Sequence, residues 1–144
     1  MVTINPYLSF NGNCDAAFNF YKSVFGGEFA FVGRYKDIPD QPMPESEKEK
    51  IMHISYPINK NTILFGADTS EHFGGGVQFG SNISLSVNTD TADEAKRIFK
   101  ALSEGGNIIM PLEKTFWNAL FGYFVDKFGI YWMVNYDYGK DTNV

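Results

Sequence analysis

The 144-residue chain has one cysteine, two histidines and no long apolar run, and each scarcity excludes a class of protein. A single cysteine excludes an internal disulfide and suits a reducing compartment, so we expect a cytoplasmic protein. No stretch approaches the roughly 18 apolar residues of a membrane-spanning helix, so no membrane partner is expected. The opening MVTINPYLSF lacks the basic and apolar regions of a signal peptide.

Positive charge is also scarce, because 12 Lys and Arg stand against 17 Asp and Glu, a formal net charge of −5. A nucleic-acid surface needs a clustered cationic footprint, so no nucleic-acid partner is expected. Aromatic residues, in contrast, make up 17% of the chain, with 14 Phe and 8 Tyr. This composition predicts a folded globule with a large aromatic core or an aromatic-lined pocket.

Two similar stretches, LSFN at 8–11 and LSVN at 85–88, suggest an internal repeat. Each is followed by a polar turn, a helix-like run and a double glycine, at 26–27 in the first half and 105–106 in the second. When Leu8 is aligned with Leu85, Asn5 falls on Asn82 and Ser9 falls on Ser86. The two halves therefore share one plan.

Alternating and helical apolar patterns predict the order β-α-β-β-β in each half. The first half has predicted strands at 4–11, 28–38, 50–59 and 61–68 and a helix at 12–27; the second has strands at 81–88, 107–113, 117–126 and 129–136 and a helix at 91–106. The segment 39–50, rich in proline and charge, is predicted to be a loop. Asn13 is the expected N-cap of the first helix, and Thr91 or Asp90 that of the second.

This order predicts an α+β fold of two tandem modules, each a sheet whose apolar face is covered by a helix. The single domain, 1–144, would comprise module 1 at about 1–70, a linker at about 71–80 and module 2 at about 81–137. The uncovered polar faces would enclose a shared cleft. In the first strand the polar face carries Asn5, Tyr7 and Ser9.

The segments PYLSFNGNCDAAFNFYKSVFGG, SNISLSVNTDTADEAKRIFKALSEGG and FWNALFGYFVDKFGIYWMVN carry a family resemblance. They resemble the PhnB-like branch of the vicinal oxygen chelate superfamily, which includes glyoxalase I, bleomycin-resistance proteins and extradiol dioxygenases. The resemblance extends from about Pro6 to Asn135. It implies a glyoxalase-like curved sheet around a cleft and a homodimer. Relatives in this branch have carried a demethylubiquinone methyltransferase label, although this sequence contains no glycine-rich dinucleotide or methyl-donor fingerprint.

The resemblance also implies a divalent metal held by His, Glu or Gln from the first and last strands of each module. Carried over residue by residue, these positions fall on Asn5 or Pro6, Asn82, Met133 and the region of Asp68. Amides are weak neutral ligands and a thioether favours soft ions, so we predict no metal and no cofactor.

Three further residues carry reactive groups. His53 is predicted to lie on the opposite side of its strand from Met52 and Ile54, where it could act as a base or a hydrogen-bond donor; alternatively, it is half-buried with a backbone partner. His72 is predicted to be solvated in the linker, with a role at a dimer edge as the alternative. The helix dipole could lower the thiol pKa of Cys14, or Cys14 is simply a small buried residue.

Aromatic residues of the second half could line one wall of the cleft and stack on a planar ligand. Trp117 and Tyr131 are assigned equally to this wall and to the core, whereas Phe116 is predicted to be core. Asn118 and Leu120 stand where related segments carry glycine and a basic residue, which makes a phosphonate ligand less favourable.

The sequence therefore predicts a PhnB-like small-molecule-binding protein of the glyoxalase-like fold, without catalytic metal and of unknown activity. The predicted ligand-binding residues are Asn5, Tyr7, Ser9, His53, Asn82, Ser84, Ser86, Trp117, Tyr131 and Met133. The alternative is a metal-dependent lyase, isomerase or dioxygenase that uses His53 or Asp68. A third interpretation is an interaction protein with a vestigial cleft.

Overall fold

The computed structural model of the chain describes residues 1–72 and 75–139. Its contacts divide the chain into two compact units, the first spanning Met1–Gln78 and the second beginning at Phe79. The predicted linker at 71–80 includes Phe73 and Gly74, which lie outside the described residues. Within the described ranges, none of the helices combines the length and apolar character that crossing a membrane requires.

The first unit contains one four-stranded sheet. Its elements are β1 (Tyr7–Phe10), α1 (Cys14–Phe25), β2 (Phe31–Arg34), a 3-10 turn (Tyr35–Asp37), α2 (Glu45–Lys48), β3 (Ile51–Asn59) and β4 (Thr62–Asp68). The strand order is β1-β4-β3-β2. Strand β1 runs parallel to β4, and the other two pairs are antiparallel.

The second unit repeats this arrangement. Its elements are β5 (Leu85–Thr89), α3 (Ala92–Ser103), β6 (Asn107–Lys114), β7 (Ala119–Val125) and β8 (Tyr131–Asp137). The strand order is β5-β8-β7-β6, with β5 parallel to β8. The predicted α+β class with two β-α-β-β-β units is thus confirmed.

Helix α1 packs on one face of the first sheet and buries an aromatic stripe. Ala17, Phe18 and Tyr21 are fully buried there, and the edge of Phe18 meets the ring of Phe10 at a centroid distance of 6.3 Å. The predicted cap, Asn13, stands at the N-cap position, but its side chain makes no capping hydrogen bond. The amides of Gly12 and Cys14 instead donate to the buried carboxylate of Asp68, at 2.9 Å each.

Helix α3 covers one face of the second sheet in the same way. Its buried residues, Ala95, Ile98, Phe99 and Leu102, recur at the three- and four-residue spacing of an amphipathic helix. The hydroxyl of Thr91 accepts a hydrogen bond from the amide of Glu94 at 3.1 Å, which confirms Thr91 as the N-cap.

Several predicted boundaries were wrong. Strand pairing begins only at Tyr7 opposite Phe65 and at Leu85 opposite Trp132, later than the predicted starts at 4 and 81. The predicted loop at 39–50 contains the short helix α2, whose residues Glu45 and Lys48 form an ion pair of 2.6 Å one turn apart.

The prediction that Phe116 belongs to the core was also wrong, because its side chain is 97% exposed. Phe116, Trp117 and Asn118 form the turn between β6 and β7, which the Thr115 amide closes by donating to the Ala119 carbonyl at 2.7 Å. Asn118 takes a left-handed conformation, with φ 63°, as the last residue of a three-residue hairpin loop often does. A turn at this position keeps the Phe116 ring out of the sheet.

Candidate functional site

The face of the first sheet opposite α1 carries a cluster of aromatic side chains, which we call the aromatic face. Strand register places Tyr7, Phe65, Ser55 and Phe31 side by side across the four strands. Tyr7 and Phe31 are about half exposed. The strand residues of this face, all of them among those described, include no Asp, Glu, Lys or Arg.

A β-bulge adds Met52 to the aromatic face beside His53. Gly33 pairs with His53 and Arg34 pairs with Ile51, so Met52 is an extra residue on β3. Ile51 and Ile54 are consequently both buried on the helix side, although they are three residues apart. The expectation that Met52 and His53 point to opposite sides was therefore wrong, because the bulge interrupts the alternation of the strand.

Gly33 makes room for this cluster. A Cβ atom at Gly33 would lie 2.8 Å from Cε2 of Phe31 and 3.3 Å from Cε of Met52. Without that atom, the Phe31 ring can lie beside His53, at a centroid distance of 5.9 Å. The glycine and the bulge together bring a thioether, two phenyl rings and an imidazole to one place.

Tyr7, on β1, contacts the imidazole of His53, on β3, across the intervening strand β4 on the same face of the sheet. The Tyr7 hydroxyl oxygen lies 3.0 Å from Nδ1 of His53. Phe65 stacks on the imidazole at 5.5 Å between centroids, with an interplanar angle of 29°. The side-chain partner is thus a hydroxyl, whereas the alternative interpretation of His53 assigned it a backbone partner.

The structure brings some predicted ligand-binding residues together and separates others. Tyr7, Ser9 and His53 share the aromatic face, whereas Asn5 precedes β1. In the second unit, Ser86 lies opposite Met133 on the face away from α3, and Asn82 and Ser84 precede β5. Ligand binding by these residues remains a prediction.

The uncovered face of the second sheet has different chemistry. Asn135 donates from Nδ2 to Oδ1 of Asn88 at 3.3 Å, and the rings of Tyr123 and Tyr131 lie 5.9 Å apart. Trp117 is half exposed in the β6–β7 turn and meets the ring of Phe121 at 6.2 Å. Amides and phenols can hydrogen-bond a neutral ligand, but this face has no imidazole.

The predicted ligand-binding residues did not include Phe31, Met52 and Phe65 on the first sheet or Asn88 and Asn135 on the second, although the alternation of its strand predicted that Asn88 lies on the polar face. Strand alternation was the available signal for Phe65: Leu64 and Gly66 face α1, so Phe65 between them lies on the helix-free face. Nothing in the sequence indicates the bulge at Met52.

The residues at the predicted ligand positions do not fit a divalent metal. Oδ1 of Asp68 accepts from Gly12 and Cys14, and Oδ2 accepts from Ile51 at 2.9 Å. The carboxylate is therefore engaged with backbone amides on the helix side, 2% exposed, and is not directed at His53. Throughout residues 1–72 and 75–139, no group of three or more His, Cys, Asp or Glu could hold an ion.

Cys14 is unsuited to act as a nucleophile, and His72 lies on the surface. Burial raises the pKa of the Cys14 thiol far above its ordinary value, and the neighbouring carboxylates of Asp68 and Asp15 raise it further. Of the two alternatives for Cys14, the structure supports the small buried residue, because desolvation and negative charge outweigh the helix dipole here. His72 is exposed, and its amide donates to the Ser70 hydroxyl at 3.1 Å.

These features define a class: two β-α-β-β-β units of the glyoxalase-like type, each with one helix-free sheet face. A glyoxylase/bleomycin resistance protein/dioxygenase domain from Frankia sp. is similar to this chain in fold only, with 11% sequence identity and a TM-score of 0.65. The chain belongs to the family described as 3-demethylubiquinone-9 3-methyltransferase, whose sequence profile matches residues 2–135.

Individual relatives agree with this assignment. Protein YjdN of Escherichia coli is 30% identical over 141 residues, covering 92% of this chain and 93% of that protein. The structure of protein PA1353 from Pseudomonas aeruginosa is 39% identical, with a TM-score of 0.83 over 95% of this chain and 98% of the other. The PhnB protein from Bacillus cereus is 26% identical, with a TM-score of 0.77 over 94% and 99%. The PhnB-like resemblance is thereby confirmed.

The family description names a methyl transfer, which requires a methyl donor. At the two strand-to-helix turns, Asp68 accepts from the amides of Gly12 and Cys14, and Thr91 accepts from that of Glu94.

Proposed function

We propose that the chain binds a small organic molecule on its aromatic face. The observation that carries the proposal is the imidazole of His53, held by the Tyr7 hydroxyl and flanked by Phe31 and Phe65 on a sheet face without charged side chains. Apolar walls with a few placed polar groups are typical of small-molecule sites. The family membership supports a small-molecule site.

The exposed ring surfaces supply the affinity for a flat ligand. Tyr7 and Phe31 are 50% and 51% exposed, so both rings can cover a ligand without leaving their strands. Aromatic contacts of this kind contribute about 0.5–1.5 kcal/mol each beyond area burial. Ser9 and Ser55 add hydroxyls on the same face, next to the rings.

Ligand-observed NMR with planar aromatic probes, beginning with 2-naphthamide, tests the proposal. We expect the wild-type chain to bind the probe and Phe65→Ala to weaken binding about tenfold, as loss of one aromatic contact implies. Phe20→Ala is the matched control, because Phe20 lies on α1, on the other side of the sheet, and removes an equal ring. No binding by the wild type, or an equal loss in both variants, would contradict the proposal.

We also propose that the protein is a cytoplasmic homodimer. The buried free thiol of Cys14 supports a reducing compartment. The edge strand β6 supports a partner copy, because Ile108, Ile109 and Met110 are 44–49% exposed along an unpaired sheet edge. Light scattering should give twice the chain mass of 16.2 kDa, and Ile109→Lys should give a single chain. A wild-type monomer, or a dimer that survives this substitution, would refute the β6 interface.

A further inference from the structure

We infer that the ligand of the aromatic face is a planar conjugated molecule with an oxyanion substituent, a carboxylate or an enolate, which accepts a hydrogen bond from Nε2 of His53. Tyr7 is the positioning residue that keeps the proton on Nε2. This inference rests on the proposed function and names the ligand class of the same site.

The contact between the Tyr7 hydroxyl and Nδ1 is the basis for assigning the proton to Nε2. Burial raises the pKa of the Tyr7 hydroxyl, and Cys14 and Tyr35 raise it further, so the hydroxyl keeps its proton. Its hydrogen-bond partner is Nδ1 of His53, at 3.0 Å, and the described residues offer it no other acceptor. Neutral imidazole has one donor and one acceptor nitrogen. With the Tyr7 hydroxyl as the donor in this contact, Nδ1 accepts, and Nε2 carries the proton and donates.

Packing holds the Nε2 donor in a fixed position. The imidazole lies among three rings, with centroid distances of 5.6 Å to Tyr7, 5.9 Å to Phe31 and 5.5 Å to Phe65. Among residues 1–72 and 75–139, no side chain or carbonyl accepts a hydrogen bond from Nε2. A ligand stacked on the half-exposed rings would bring an acceptor at its edge to this free N–H.

The strand residues of the aromatic face place no carboxylate against an anionic acceptor. A hydrogen bond to an ionised oxygen is roughly twice as strong as one between neutral groups. Of the acidic side chains of this unit, Asp15 is on α1, Asp68 is bound to backbone amides on the helix side, and Glu47 and Glu49 belong to the connection between β2 and β3. A single delocalised charge can therefore approach His53 without meeting a carboxylate. The same face has no Lys or Arg, so it does not offer a phosphate group the cations that it needs.

Two probes with one ring system test the inference, namely 2-naphthoate and 2-naphthamide, each titrated by NMR. We expect the wild-type chain to bind the carboxylate about tenfold more tightly than the amide. His53→Leu should abolish this preference and still bind the amide, while His53→Gln, which keeps an N–H donor, should retain part of it. Phe20→Ala should retain all of it.

Tyr7→Phe tests the positioning role through a spectroscopic signature. In the wild type, the imidazole ¹⁵N shifts should show a protonated Nε2 and an acceptor Nδ1. In Tyr7→Phe they should move toward a mixture of the two tautomers, and the preference for the carboxylate should fall. Unchanged ¹⁵N shifts in Tyr7→Phe would overturn the role of Tyr7.

The remaining outcomes separate this inference from the proposed function. If neither probe binds, the proposed function itself fails, and this inference with it. If both probes bind the wild type equally, or if the preference survives in His53→Leu, only the inference fails.

Discussion

Replacement of Asp68 by Asn is expected to lower the free energy of unfolding by about 2–3 kcal/mol, and replacement by Ala by about 4 kcal/mol or more, because buried amides lose charged acceptors. The carboxylate is 2% exposed and accepts from the amides of Gly12, Cys14 and Ile51. The Asn side chain keeps one carbonyl oxygen as an acceptor, but its NH₂ group replaces the other oxygen and faces a backbone amide that is itself a donor. Urea denaturation followed by circular dichroism measures the loss.

Asp37→Asn is the control for this prediction. The Asp37 carboxylate is exposed and accepts a single bond, from the Arg34 amide at 2.8 Å, which the Asn oxygen can still accept. We expect it to change stability by less than about 0.5 kcal/mol, as surface substitutions usually do. Hydrogen exchange in Asp68→Asn should accelerate first at Gly12, Cys14 and Ile51. Equal losses in the two variants would show that Asp68 does not organise the start of α1.

Gly106→Ala is the second substitution with a large expected effect: it should lower the free energy of unfolding by about 3 kcal/mol, because the added Cβ atom overpacks against backbone. A Cβ atom at this position would overlap the carbonyl oxygen of Val125 and lie 2.9 Å from Cα of Asp126. These are main-chain atoms of the neighbouring strand and its turn, so they cannot rotate away. The start of β6 would have to separate from β7, and thermal or urea unfolding would report it.

Gly76→Ala is the matched glycine control. The nearest atom to a Cβ there is Oδ1 of Asn11 at 3.6 Å, an ordinary contact, and neither glycine has a positive φ. The two substitutions therefore differ in steric room and not in backbone conformation. If Gly106→Ala proved as stable as Gly76→Ala, the close approach of β6 to the Val125–Asp126 backbone would be refuted.

The two helix-free faces show how one folding plan supports two chemistries. Both units have the same strand order and bury apolar residues under a helix. The exposed positions differ, with an imidazole among aromatic rings on the first sheet and paired amides beside two phenols on the second. A fold fixes where side chains can meet, and the individual side chains decide what they bind.

Much of the fold was predictable from local patterns. The double glycines and the buried stripes located α1 and α3, and the hairpin around Asn59 was confirmed as β3 and β4. The starts of β1, β5 and β7 were placed too early, because strand ends depend on a partner and not on alternation alone. Asn5, Asn82 and Trp117 were assigned to strands on that ground.

The candidate site was predictable only in part. Tyr7 and His53 were both named from the alternation of their strands, but their contact joins β1 and β3, which are not neighbours in the sheet. Met52 could not be placed, because a bulge leaves no periodic signal. Asn13 was correctly placed at the N-cap of α1, but the acceptor for the amides at this end of the helix, Asp68, comes from the end of β4.

The sequence by itself determined the doubled β-α-β-β-β order, the helices that cover each sheet and the poor donor set at the expected metal positions. These depend on side-chain type and on short-range periodicity, which a chain carries in its own order. Only the tertiary structure decided that Tyr7 meets His53, that Met52 joins them and that Asp68 caps α1. Such contacts are made between residues distant in the chain, through strand register, a bulge and a glycine gap, none of which a local pattern encodes.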